Sequence, residues 1–142
     1  GQHYAQRSLE RMRDEVLVGM HGIRGLSDVY GQDVVNTTFR ARNHLISWEE
    51  GLAEVERAQS QAREGWEALQ RAPLEGQDRA LLEQALQARP RADAAVLRVR
   101  AALQARDVRA LGRFADAELY PAMDPLVGRL KRIADHAQRR AD

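Results

Sequence analysis

The 142-residue chain is 44% hydrophobic and 30% charged, enough apolar content for one continuous core. Its 22 basic and 21 acidic residues leave a net charge of +1, so no overall field draws nucleic acid. The absence of cysteine excludes disulfides, cysteine-ligated zinc, thiolate nucleophiles and c-type haem attachment.

Aromatic residues are only 5% of the chain, which favours a Leu, Ala and Val helical seam over a core built on rings. No stretch approaches the roughly 18 apolar residues of a membrane span, and no signal peptide is present. The opening Gly1-Gln2-His3 lacks Met and reads as an internal piece of a longer protein or as a processed chain.

Apolar spacing predicts four amphipathic helices. The first spans about residues 4–43, with Leu9, Met12, Val16, Met20, Ile23, Tyr30, Val34, Thr37 and Ala41 at three- and four-residue steps. Gly19, Gly22, Gly25 and Gly31 interrupt it, marking either close helix approach or a local bend. The second spans about 47–72. Ser47 and Glu50 form a capping box at its start, and Trp48, Leu52, Val55, Gln59, Ala62, Trp66 and Leu69 form its seam. Trp48 and Trp66 read as core anchors, and Gln59 either fixes register or lines a pocket.

Pro73 and Gly76 separate this helix from the third, about 77–105, where an interior Pro90 predicts a kink. Asp107 is a plausible N-cap for the fourth, about 108–140, which Pro121 and Pro125 interrupt. The connections are short, and short links between long helices force antiparallel neighbours. The expected fold is all-α, a single antiparallel up-down-up-down four-helix bundle. Both termini would lie at one end, with the 43–47 and 104–107 turns at the other.

Catalytic chemistry is hard to place. There is no phosphate loop, no Glu-x-x-His pair and no nucleophile elbow, and His3, His21, His44 and His136 are scattered. Neither enzymatic activity nor a metal or cofactor is expected. The informative polar residues cluster late in the first helix: Tyr30, Asp33, Asn36, Thr37, Arg40 and Arg42. Asp33, Asn36, Thr37 and Arg40 share one helical face. Arg40, placed near the turn and beside the start of the last helix, could hold a carboxylate in its fork. Alternatively, Arg40 and Arg42 are solvated charges favoured at a helix C-terminus by its dipole.

The string Val29-Tyr30-Gly31-Gln32-Asp33-Val34-Val35-Asn36, then Arg40-Ala41-Arg42-Asn43 and Ser47-Trp48-Glu49-Glu50-Gly51, resembles the four-helix-bundle sensor domains of bacterial chemoreceptors. Related ectodomains occur on histidine kinases and diguanylate cyclases. Gly65-Trp66-Glu67 and Glu118-Leu119-Tyr120-Pro121-Ala122-Met123-Asp124-Pro125 follow in the same order, so the resemblance covers roughly residues 20–137. It implies a periplasmic module of an inner-membrane receptor, working as a homodimer. Such a module would bind a small molecule, an organic acid or amino acid, near its membrane-distal end. Carried over, the ligand residues are Arg40, Arg42, Asn36 and Thr37, with Tyr30 and Asp33 below them. The rival expectation is a bundle that only dimerises or docks a partner, through an apolar stripe of Leu26, Val29 and Val35.

Overall fold

In the computed structural model, which describes residues 2–141 and side chains through Arg139, the protein is 91% helical, with no strand among those residues. The elements are α1 (Gln2–Asp28), a π-helical segment (Val29–Asp33), α2 (Val34–Arg42), α3 (Trp48–Arg71), α4 (Gly76–Ala105), α5 (Val108–Ala117) and α6 (Leu119–Ala141). The ends follow local chemistry. Ser47 Oγ accepts from the Glu50 amide at 3.0 Å while Glu50 Oε1 accepts from the Ser47 amide at 3.1 Å, completing the capping box. Asp107 Oδ1 caps α5 through the Ala110 amide at 3.0 Å, and Arg106, in the left-handed region at φ 53°, closes α4.

The expected first helix is continuous in course but not in winding. It loosens into the π segment around Tyr30 and Gly31, giving wider i to i+5 bonding for about one turn. The expected last helix is broken at Glu118, between α5 and α6. Pro121 explains that break: it has no amide proton to donate, and its ring crowds the carbonyl of Ala117, where α5 ends. By contrast, α4 runs uninterrupted through Pro90 and α6 through Pro125.

The core is mainly aliphatic. Leu26, Val34, Val55, Leu69, Leu82, Val99, Leu103, Leu111, Leu126, Leu130 and Ile133 are fully buried, each such side chain worth about 1.5–3 kcal/mol of transfer free energy. Trp66 is buried among them, whereas Trp48 is only half-buried at the edge of the core. Two of the four first-helix glycines meet α3 closely. A Cβ on Gly22 would lie 2.9 Å from the Gly65 carbonyl oxygen, and one on Gly19 would lie 2.7 Å from the Ala72 Cβ. Gly25 faces open space, so close packing does not account for it.

Side-chain pairs tie the other elements. Thr37 meets Glu54, Glu49 meets Arg106, Glu56 meets Arg100, Asp78 meets His136, and Arg129 donates to the Gln84 carbonyl.

Two expectations about helix one are corrected. Leu9 and Met12 continue the seam in sequence but are 61% and 46% exposed. The reason is length: Gly19 already lies against Ala72, just past the last residue of α3, so earlier turns of α1 have no α3 opposite them. Leu26, Val29 and Val35, the stripe expected to remain open, are instead buried in the core. Among the described residues, no helix is long and apolar enough to cross a membrane.

Candidate functional site

The spacing of Asp33, Asn36, Thr37 and Arg40 turns all four toward α3. There they line an open cavity of about 290 Å³ together with Glu54, Arg57, Ala58 and Gln61. The Arg40 guanidinium is already engaged. Its Nη1 and Nη2 donate to Glu54 Oε2 and Oε1 at 3.2 and 3.1 Å, and the Thr37 hydroxyl donates to Oε2 at 2.6 Å. Thus the fork-on-carboxylate geometry anticipated for a ligand is occupied by a carboxylate of the chain itself. Thr38, one residue on, turns its hydroxyl back to the Val34 carbonyl at 2.7 Å and takes no part.

Arg57 differs from Arg40, because it has no ion pair among the described residues. On the same lining, the Asp33 side chain makes no hydrogen bond among those residues, and its carboxyl is held above the ordinary range. Partial burial is the larger cause, followed by the like charges of Asp28 and Glu54. The lining therefore holds two guanidiniums, two carboxyls and the amides of Asn36 and Gln61. It is a mixed-charge surface with unspent donors and an unspent acid.

The raised Asp33 pKa has a consequence for stability. A carboxyl whose folded pKa lies above its unfolded pKa contributes nothing adverse below the unfolded value, and it destabilises progressively as pH rises through the folded value. Asp33→Asn is therefore expected to be more stable than wild type at pH 7, with the difference vanishing at a pH below the unfolded carboxylate range. Urea melts at the two pH values test this, and an Asn variant less stable at pH 7 would contradict it.

The remaining two candidates lie elsewhere. Arg42, not Arg40, reaches the last part of the chain. Both its terminal nitrogens pair with the Asp116 carboxylate of α5, Nη2 at 2.9 Å, and its Nε would lie 3.4 Å from a Cβ placed on Gly112. Tyr30 points inward. It is 1% exposed, accepts from Trp66 Nε1 at 3.0 Å and donates to Asp93 Oδ1, while Arg89 Nε holds the other oxygen of Asp93 at 3.0 Å. Burial, with the Asp93 contact, pushes the Tyr30 phenol well above its ordinary range, so it stays protonated. Tyr30 thus belongs to an interior network spanning the π segment, α3 and α4.

Sequence reasoning missed Glu54, Arg57 and Gln61. A signal existed: their steps of three and four place them on one polar stripe of α3, adjacent to its seam. What no spacing could convey is that this stripe faces Asp33, Asn36 and Thr37. Among the described residues, no group of three or more His, Cys, Asp or Glu side chains is placed to hold a metal ion.

Compared with protein-family models, curated proteins and solved structures, the chain has no match.

Proposed function

We propose that this chain is the periplasmic ligand-sensing domain of a bacterial inner-membrane receptor of the chemoreceptor type. It would be an up-down-up-down four-helix bundle that works as a homodimer and transmits occupancy by helix displacement rather than by catalysis. The observation that carries the reading is the cavity between the end of the first helical stretch and α3. There Asp33, Asn36, Thr37 and Arg40 converge with Arg57, which has no ion pair among the described residues. The ligand is a small molecule bearing a carboxylate, an organic acid or an amino acid. Arg57 is its open anchor, and Arg40 becomes available once Glu54 is displaced.

The bundle topology is supported by the order of contacts. Gly19, Gly22 and Thr37 meet Ala72, Gly65 and Glu54, so the partner number falls as the residue number rises. The same reversal relates Glu49 and Glu56 to Arg106 and Arg100, and Asp78 and Gln84 to His136 and Arg129. The cavity lies within a few turns of the 43–47 turn, at the end away from both termini in such a bundle; that end would be membrane-distal. The order of short motifs shared with chemoreceptor sensor domains supports the same assignment.

The test is a thermal-shift screen with organic acids and amino acids. A stabilising hit is expected, and Arg40→Ala or Arg57→Ala should abolish the shift without lowering the melting temperature of the unliganded protein by more than a few degrees. Sensing by this cavity is overturned if no acid stabilises the protein, or if both variants respond like wild type. A partner-docking bundle is the second reading, favoured by the exposed Leu9, Met12, Leu17 and Val18 on the early turns of α1. It predicts a flat screen together with self-association that charged substitutions at Leu9 and Met12 abolish.

A further inference from the structure

A second cavity, of about 230 Å³, opens between the π segment, α3 and α4. We propose that it is a separate ligand site for a small hydrophobic carboxylate, an acid whose apolar body is aromatic or branched. The proposal does not depend on what the Arg57 cavity binds.

Leu97 marks the apolar part of the site. Val29, Ala62, Trp66 and Val96 form a buried floor, and beside them Leu97 stands 58% exposed on the cavity wall. A large aliphatic side chain left in water next to an apolar hollow is satisfied by an apolar occupant, which would shield Leu97 and the floor together. The volume falls below the range of about 300–1,000 Å³ typical of drug-sized pockets, so the body is small.

Most polar groups of the cavity are already spent. Trp66 Nε1 donates to Tyr30, Tyr30 donates to Asp93, and Arg89 Nε donates to the second Asp93 oxygen. The inner network is therefore closed. Its one carboxylate is paired with a guanidinium that also lies 4.6 Å above the Trp66 ring, so it does not repel an anion. The Gln59 carbonyl oxygen is taken by Arg100 at 2.8 Å, which leaves its NH2 group open. Arg63 has no ion pair among the described residues. The groups left over at the mouth are donors: the Arg63 guanidinium, the terminal nitrogens of Arg89 and the Gln59 amide. Unspent donors of positive charge above an apolar floor select an anionic head on a hydrophobic body, and a carboxylate fits a guanidinium fork.

The site also has a place in the fold. The π segment supplies Val29 and Tyr30 to this cavity and Asp33 to the other, so one five-residue segment lines both. Single π turns are frequent at functional sites.

Phenylacetate is the probe and Trp66 the reporter, in a Trp48→Phe background so that a single indole emits. Phenylacetate should produce a saturable change in Trp66 fluorescence. Phenylacetamide, its neutral counterpart, should bind at least tenfold more weakly, as should phenylacetate to Arg63→Ala or Leu97→Glu. Arg63 and Leu97 are exposed, so these variants are expected to fold. Arg57→Ala should leave phenylacetate affinity unchanged, which separates this site from the first cavity. The proposal is overturned if there is no saturable change up to millimolar phenylacetate, if acid and amide bind equally, or if Arg57→Ala abolishes binding while Arg63→Ala does not.

Discussion

Truncation of Trp66 to Ala is expected to cost about 3–5 kcal/mol of folding free energy, the usual range for removing a buried Trp or Phe. For a chain of this size that corresponds to a fall in melting temperature on the order of 10 °C. The side chain is 2% exposed, so its removal forfeits buried packing and leaves a void beneath the second cavity. Its polar end adds to the loss, because Tyr30 gives up the indole donor while keeping Asp93. Tyr30→Phe isolates the hydrogen bonds from the packing. It leaves the buried Trp66 N–H without its acceptor and removes a donor from Asp93, for about 1–3 kcal/mol. The pair Tyr30→Phe and Trp66→Phe should be less than additive, because the second substitution removes the donor that the first leaves stranded. Urea denaturation of the four variants and the wild type measures all three effects. A Trp66→Ala variant within about 1 kcal/mol of wild type would show that this network does not anchor the core.

Glu54→Gln is expected to strengthen the binding of carboxylates at the first cavity, against the usual rule that altering a site weakens it. In the unliganded protein the Glu54 carboxylate fills the Arg40 fork and also accepts from Thr37. A ligand acid must displace a like-charged competitor that is already in place. Gln keeps the shape and an acceptor oxygen but removes the charge, so the two guanidiniums then face one acid instead of two. Hydrogen bonds to charged groups are worth about 1.5–3 kcal/mol, so a gain of about tenfold in affinity is a moderate expectation. Isothermal titration with the best acid from the screen measures it. Weaker binding in the variant would mean that Glu54 holds a positively charged part of the ligand, such as an ammonium. A readout free of ligand accompanies it: the Asp33 carboxyl, raised in part by the charge of Glu54, should titrate at lower pH in the variant. Carboxyl-carbon NMR would follow that shift.

The candidate site was partly legible in advance. The face shared by Asp33, Asn36, Thr37 and Arg40 is a property of helical spacing, and those four do line one cavity. Tyr30 and Arg42 were grouped with them by proximity in sequence, yet Tyr30 turns into the interior and Arg42 crosses to Asp116. Within the π turn an added residue changes the angular step, so a face extrapolated at 3.6 residues per turn no longer holds on its far side. Arg42 is two residues beyond Arg40, which on a helix is a different face.

The apolar seam of the first helix also runs further in sequence than its packing does, for a related reason. Leu9 and Met12 keep the apolar rhythm, but rhythm reports only which side of a helix is apolar. Whether another helix stands opposite depends on where α3 stops, at Arg71.

Local chemistry alone determined that the chain is helical and where most helices begin. The Ser47 capping box, the Asp107 cap, the Pro121 break and the three- and four-residue apolar steps act within about one turn of the backbone. A linear pattern suffices to read them. Tertiary packing decided the rest: that the Arg40 fork is filled by Glu54, that Arg57 and Arg63 have no ion pair among the described residues, and that Tyr30 closes a network with Trp66 and Asp93. Those partners lie from 14 to 63 residues apart. Which of the many charged residues meet is set by the register of one helix against another. Register is a sum over the buried contacts of both helices, and no window of the sequence contains that sum.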